Sequence, residues 1–473
     1  MKRLVAAMSV CLALVAASCG AKGNDTAGDD DTGTTAPAGQ QASSKGSFGD
    51  LKDVCGEAPD GVEVKIPADE AGRGTDKFYL GVANDRTADV RPGLLKEMWD
   101  ASVAFAGWCN ANGGLAGKKI ELVDLDGKVL AVEAAMTTAC TDVFAMVGGG
   151  FASDTLMFSG KDGSDFHKCG LVAIPGFAVS TDFADANGQQ QPLPNPGYSK
   201  PNTWFRDLVK LYPDNMSNLA VVYGELPSIK INKEQLVATG ETVDGVNFTK
   251  QISYPVINPN FDLTTQQVKD ANVKGLAFIG EPDNLSVFMQ KLHQQGWDGL
   301  VFAETNHYDP QIFSAGKDAA EGLVIRTAFH PFEEADKWPA TKQMLDIVDQ
   351  YGPSDAKLAG LSIQSFSAWL LFAESVNKCV KDHDGEVTRQ CILDSASSFE
   401  KWTGGGLHAA SSPAKDEGPA CSVLMQATAE GTWKRLYPKL GSPDADADGF
   451  SCGENVKISG DFGKGNVDPS RKS

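Results

Sequence analysis

From Lys77 onward, strand-like runs and amphipathic helical runs alternate along the chain, and this alternation restricts the fold more than any other feature. Residues 77–84 (KFYLGVAN) have the pattern of a buried strand. Residues 94–109 then place Leu94, Leu95, Met98, Trp99, Val103, Phe105 and Ala106 at helical spacing, stopped by Asn112-Gly113-Gly114. Strands are predicted at 120–124, 143–147 and 171–174, with a helix at 129–140. In such a succession each right-handed crossover lays its helix on the sheet, which predicts an α/β fold with a parallel sheet covered on both faces. A loop over 175–200, rich in Pro, Gly, Asn and Gln, follows, and then the pattern begins again. The second set has strands at 219–223, 246–254, 275–279 and 300–303 and helices at 233–240, 263–271 and 285–295. Two similar α/β units therefore stand in tandem. A strand at 323–327, helical stretches at 337–351, 358–380 and 386–402, and a hairpin of 422–429 with 433–436 complete the pattern.

Composition adds limits. With 42% hydrophobic and 22% charged residues among 473, the chain can bury a core, and its length suits two or three domains. Its net charge of -20 would repel polyanions, so no nucleic-acid partner is expected. Met1-Lys2-Arg3, an apolar run over 4–17 and small residues before Cys19 have the layout of a secretory signal too short to span a bilayer. Val15-Ala16-Ala17-Ser18-Cys19 resembles a bacterial lipobox, which implies cleavage before Cys19 and a lipid on its thiol. The protein is thus expected to be exported and held at the outer face of the cell membrane through that lipid. Residues 20–50 hold almost no large apolar side chain and read as a disordered tether with a root-mean-square span of roughly 30 Å. Removing Cys11 with the signal and Cys19 with the lipid leaves Cys55, Cys109, Cys140, Cys169, Cys379, Cys391, Cys421 and Cys452, an even number that suggests disulfides in an exported chain.

The run from Ala104 to Ile120 (AFAGWCNANGGLAGKKI), closing at Asp124 and Asp126, resembles the type I periplasmic binding proteins of the branched-chain amino-acid-binding group. Similar marks follow in order: Phe144 to Gly149, Val172 to Pro175, and Ala320-Glu321-Gly322-Leu323 before the late strand. The resemblance implies two lobes, each a parallel flavodoxin-like sheet flanked by helices, closing on a small molecule held in the interlobe cleft. It places lobe 1 at 51–200 and 328–400, lobe 2 at 201–327 and 401–440, and an acidic tail at 441–473. Partners implied are a small solute and an ABC permease, with the protein itself a monomer.

Ligands of open α/β sheets sit beyond the carboxyl ends of the strands, which selects the loops to inspect. In the resembled family a hydroxyl residue after the third strand helps hold a ligand carboxylate, and Ser153 takes that position here, with Phe151 beside it to narrow the pocket or stack on a planar ligand. After the fourth strand, the backbone of Phe177 and Ala178 and the Ser180 hydroxyl are candidates. In the second unit Tyr223, Glu281, Glu304 and Tyr308 follow strands; Glu304 best matches the family's acidic position for a ligand ammonium, with Glu281 second. In a flavodoxin-like order Cys140 and Cys169 reach the same sheet edge and should pair. Cys109 ends the first helix on the opposite face, within reach of Cys55. Cys379 and Cys391 bracket a short connection, which leaves Cys421 for Cys452.

No enzyme, cofactor or metal is expected. There is no G-x-S-x-G nucleophile elbow, the glycine triples at 148–150 and 404–406 lack a P-loop Lys-Ser/Thr, and the histidines show no H-E-x-x-H spacing. Asp444-x-Asp446-x-Asp448-Gly449 begins like a calcium loop, but Asn455 stands where the closing Glu belongs, so an acidic turn is the expectation. The reading is a lipid-anchored receptor delivering an amino acid or related small amide to an ABC importer. Its rivals are a ligand-sensing lipoprotein coupled to a membrane sensor and a cell-surface hydrolase.

Overall fold

The computed structural model describes residues 45–154 and 165–465. Cys19, the signal and most of the tether lie outside the described residues. The first unit contains β1 (Phe78–Asn84), α1 (Lys96–Ala111), β2 (Ile120–Asp126), α2 (Val132–Asp142), β3 (Ala145–Val147) and β4 (Ala173–Ile174), with strand order β2-β1-β3-β4, all parallel. Short β5 (Ser199–Pro201) leads into α3 (Thr203–Leu211), and the second unit follows as β6 (Leu219–Gly224), α4 (Pro227–Gly240), β7 (Phe248–Tyr254), α5 (Phe261–Asp270), β8 (Gly275–Ile279), α6 (Pro282–Gln294), β9 (Leu300–Ala303) and β10 (Val324–Thr327). Its sheet runs β7-β6-β8-β9-β10 in parallel and is extended by the antiparallel β11 (Cys421–Ala427) and β12 (Trp433–Tyr437). Both sheets therefore have the doubly wound order in which the first two strands reverse, and the mouth of a ligand site lies at that reversal.

Between β10 and β11 the chain returns to the first unit as α7 (Pro339–Tyr351), α8 (Gly360–Asp382) and α9 (Arg389–Ala396). Helix α8 buries mostly apolar residues against α1 and the sheet, with Ser365 donating to the Met98 carbonyl of α1; Phe105 stacks on Trp369 with ring centroids 5.4 Å apart, and Phe372 meets Phe78 edge-on. Lobe 1 is thus sewn from two separated stretches, its main core joining residues of 48–174 to residues of 329–407. Trp402 and Leu407 belong to that core, whereas Ala409 packs in lobe 2, so the last crossover falls at 408–409 rather than at 401.

Two further boundaries shift for the same reason, the burial of an aromatic ring. Phe48, inside the span read as tether, is fully buried against Trp108 and Phe366, and the ordered body already includes residue 45. In the acidic tail Phe450 and Phe462 are buried, β13 (Ser451–Cys452) pairs with β11, and β14 (Asn455–Lys457) pairs with β5 at the first crossover. The acidic turn before it is closed by Asp446, which accepts from the N–H groups of Asp448 and Phe450, and by an ion pair of Asp444 with Lys210 at 2.8 Å.

All eight described cysteines form disulfides: Cys55–Cys109, Cys140–Cys169, Cys379–Cys391 and Cys421–Cys452. The first fastens the Phe48 segment to the end of α1, and on a chain-entropy basis closing its loop stabilises by about 4 kcal/mol. Among the described residues no helix is long and apolar enough to cross a membrane.

Candidate functional site

Two buried carboxylates shape the mouth of lobe 1. Asp85, just past β1, accepts from the N–H of Val129 at 2.7 Å and of Ala152 at 2.8 Å, tying the loops after β2 and β3 to the end of the central strand. Asp154 accepts from the N–H of Val179 and Ser180, which ties the β3 loop to the β4 loop; burial pushes its carboxyl up to about 6, against the pull of those donors. Ser180 in turn caps the short helix Thr181–Ala184 by accepting from Phe183 N–H. Anchoring done by side chains leaves neighbouring backbone groups over. The N–H groups of Phe177 and Ala178 meet no protein acceptor among the described residues, and both residues line a cavity of about 270 Å³ between the lobes.

That cavity gathers four of the nine residues proposed from sequence, namely Phe177, Ala178, Glu281 and Glu304. The other five lie elsewhere. Phe151 turns inward and is buried in the lobe 1 core with Met136, Phe166 and Phe183. Ser153 is half-buried outside the cavity lining. Ser180 has its capping role. Tyr223 lies beneath the Lys233 ammonium, 5.1 Å from the ring centroid, and Tyr308 is buried with its hydroxyl donating to Glu333.

The remaining polar lining comes from residues with no motif around them. Arg91 from lobe 1 meets Asp283 of lobe 2 at 2.6 Å and donates to Gln311. Lys357, just before α8, lies between Glu97 of α1 at 2.9 Å and Asp309 of lobe 2 at 2.6 Å. Burial alone would lower its ammonium, but the two carboxylates hold it above the ordinary lysine value, so it stays charged as a bridge between the lobes. Glu304 is paired with Arg326 at 3.3 Å. Glu281 is different: it stands at the N-cap of α6 with no cap hydrogen bond, no ion pair and no protein donor among the described residues. Still touching solvent in the cavity but deep within protein, its carboxyl is pushed by burial up to about 7, with Arg91 drawing it down and Glu97 and Asp283 adding to the rise. Of the two acidic candidates, Glu281 is therefore the one whose charge lacks a partner. Helix α4 supplies a long wall, since Ser228, Ile229, Asn232, Gln235, Leu236 and Thr239 recur on one face through three turns, roughly 16 Å at 1.5 Å per residue.

The periplasmic binding protein family profile matches residues 77–432. Among solved structures, a fatty acid ABC transporter substrate-binding protein from Thermomonospora curvata aligns with a TM-score of 0.64 at 18% identity, over 80% of this chain and 95% of that one. A leucine binding protein from Thermotoga maritima aligns at 0.62 with 13% identity, over 76% and 97%. A branched-chain amino acid transporter substrate binding protein from Streptococcus pneumoniae, in complex with isoleucine, aligns at 0.60 with 14% identity, over 76% and 100%. At such identities the likeness concerns the fold. A comparison with curated proteins finds no match.

Proposed function

Since the chain belongs to the periplasmic binding protein family, we propose that it is an exported, lipid-anchored receptor that captures an amino acid or a related small amide and hands it to an ABC importer. The observation that carries this reading is the pairing of unmet groups on the two lobes. Lobe 1 offers the Phe177 and Ala178 amides, which suit a carboxylate, and lobe 2 offers the Glu281 carboxylate, which suits an ammonium. A zwitterion between them satisfies both at once. In a closed, poorly hydrated cleft such charge-assisted hydrogen bonds are stronger than in water. The lobes touch through Arg91–Asp283 and Lys357–Asp309 beside the cavity, so a ligand seated there is enclosed and no reacting side chain is required.

A thermal-shift screen of amino acids and small amides tests the ligand class. A true ligand at 100 times its Kd adds about 2.7 kcal/mol of stability, and a flat screen across amino acids rejects the class. The tether is tested separately. In Cys19→Ala the protein should leave the membrane fraction almost completely, because a lipid on that thiol is the anchor this reading supplies. Retention of the variant on the membrane would reject the lipobox assignment.

A further inference from the structure

The cavity does not end at the amino-acid head site. Its α4 wall begins at Ser228, whose hydroxyl approaches the Ala152 carbonyl of lobe 1, and continues to Gln235, whose amide donates to the Gly197 carbonyl at 3.1 Å, three residues from Lys200. Along the way the lining includes Leu226, Ile229, Leu236 and Ile279. At the far end Lys200 also lines the cavity. Its ammonium donates to the Asn195 side-chain oxygen at 2.6 Å and to the Asn195 carbonyl at 3.3 Å, and no carboxylate lies within ion-pair distance of it among the described residues. Nearby Arg326 is already committed to Glu304.

Glu281 and Lys200 are set among different charges. Glu281 follows β8, whereas Arg326, one of the charges acting on Lys200, lies on β10, two strands across the sheet, a lateral step of about 10 Å. The charges acting most strongly on Glu281 are Arg91, Glu97, Asp283 and Lys357; those on Lys200 are Asp185, Glu304, Arg326 and Asp416. Burial lowers the Lys200 ammonium to about 8, against the pull of Asp185, Glu304 and Asp416, none of which is close enough to form an ion pair with it among the described residues.

Resting on the amino-acid reading above, we infer that the ligand is an α-amino acid with an elongated side chain ending in an anion, its head between the Phe177 and Ala178 amides and Glu281, its apolar stem along α4, and its terminal carboxylate on Lys200. A free branched-chain amino acid would leave the Lys200 end unfilled. The homologous series aspartate, glutamate, 2-aminoadipate, 2-aminopimelate and 2-aminosuberate, with norleucine as the member lacking the second anion, supplies the probes for isothermal titration calorimetry. Affinity should climb along the series, and the best dicarboxylic member should bind at least tenfold more tightly than norleucine. Lys200→Met should erase that advantage, so that on the variant the best dicarboxylic member binds no more tightly than norleucine, with a cooperative melting transition showing that the variant is folded. Two results overturn the inference but spare the amino-acid reading: norleucine binding as tightly as every dicarboxylic member, or Lys200→Met retaining the preference. Absence of binding by norleucine and the whole series, in wild type, overturns both.

Discussion

Glu281→Gln should weaken binding of any ammonium-bearing ligand by about 2 to 4 kcal/mol, roughly 30- to 1,000-fold in Kd. The amide is nearly the same size, so the cavity keeps its shape, while the unpaired carboxylate that would meet the ammonium is gone. Glu304→Gln should cost less, because Glu304 already shares its charge with Arg326 and a ligand gains only what remains. The pH profile has a definite sign. With the empty-state carboxyl at about 7, binding of an ammonium requires a proton to leave below that value and none above it. Affinity should therefore fall by about tenfold per pH unit below 7 and level off above it, and Glu281→Gln should flatten the profile. Calorimetry at pH 6 and pH 8 on both proteins checks this; a wild-type affinity independent of pH together with a silent Glu281→Gln would remove Glu281 from the site.

Arg389→Met should destabilise the protein by about 4 kcal/mol without touching the cleft. The first residue of α9 sends its guanidinium into lobe 1, where it donates to the carbonyls of Phe144 at 2.8 Å, Val143 at 2.9 Å, Cys169 at 3.0 Å and Gly170 at 3.3 Å. These carbonyls precede β3 and β4, so one side chain satisfies the entry of two adjacent strands. Burial lowers its pKa, Glu70 and Asp69 oppose that, and an arginine remains charged there. Methionine fills much of the volume but leaves several carbonyls buried without a donor, each a penalty of about 1 to 3 kcal/mol that local shifts and water relieve in part. Arg389→Lys should recover only part of the loss, since a single ammonium cannot span the same fork. Equilibrium urea denaturation gives the number, and a loss under about 1 kcal/mol would contradict the role assigned to these bonds.

The sheets and their crossing helices were legible because their signal is local: apolar residues recur with the period of a strand or a helix whatever surrounds them. The pairing of the cysteines was legible for a related reason, as Cys109, Cys140 and Cys169 flank elements whose faces follow from the doubly wound order, Cys379 and Cys391 bracket one short connection, and Cys421 and Cys452 are the pair that remains. Helix α3 went unassigned after the Pro-rich loop, although Trp204, Phe205 and Leu208 carry helical spacing and all three are buried. The site was legible as loops but not as side chains. A loop residue's direction depends on what it meets, so Phe151 and Tyr308 could not be told from lining residues until their packing partners were placed. The order of Glu281 and Glu304 depends on Arg326, and the roles of Arg91, Lys200 and Lys357 depend on partners from distant segments or on their absence. Lone cations carry no pattern.

The sewing of lobe 1 from two stretches has a consequence for the order in which the protein can be made. A chain emerging from its N-terminus delivers β1 to β4 and one covered face, where α2 and the residues around Phe166 and Phe183 complete a core from 83–184 alone. The opposite face, carrying Phe78, Phe105 and Phe144, must wait for α7, α8 and α9, and so for residues up to 407. Meanwhile the strands β6 to β10 emerge as one continuous segment and can assemble without it. Lobe 2 thus takes shape while the older lobe still shows an aromatic face to its surroundings. The interval in which the nascent protein is most prone to aggregate is set by the time needed to export the roughly 230 residues from the end of β4 to Leu407.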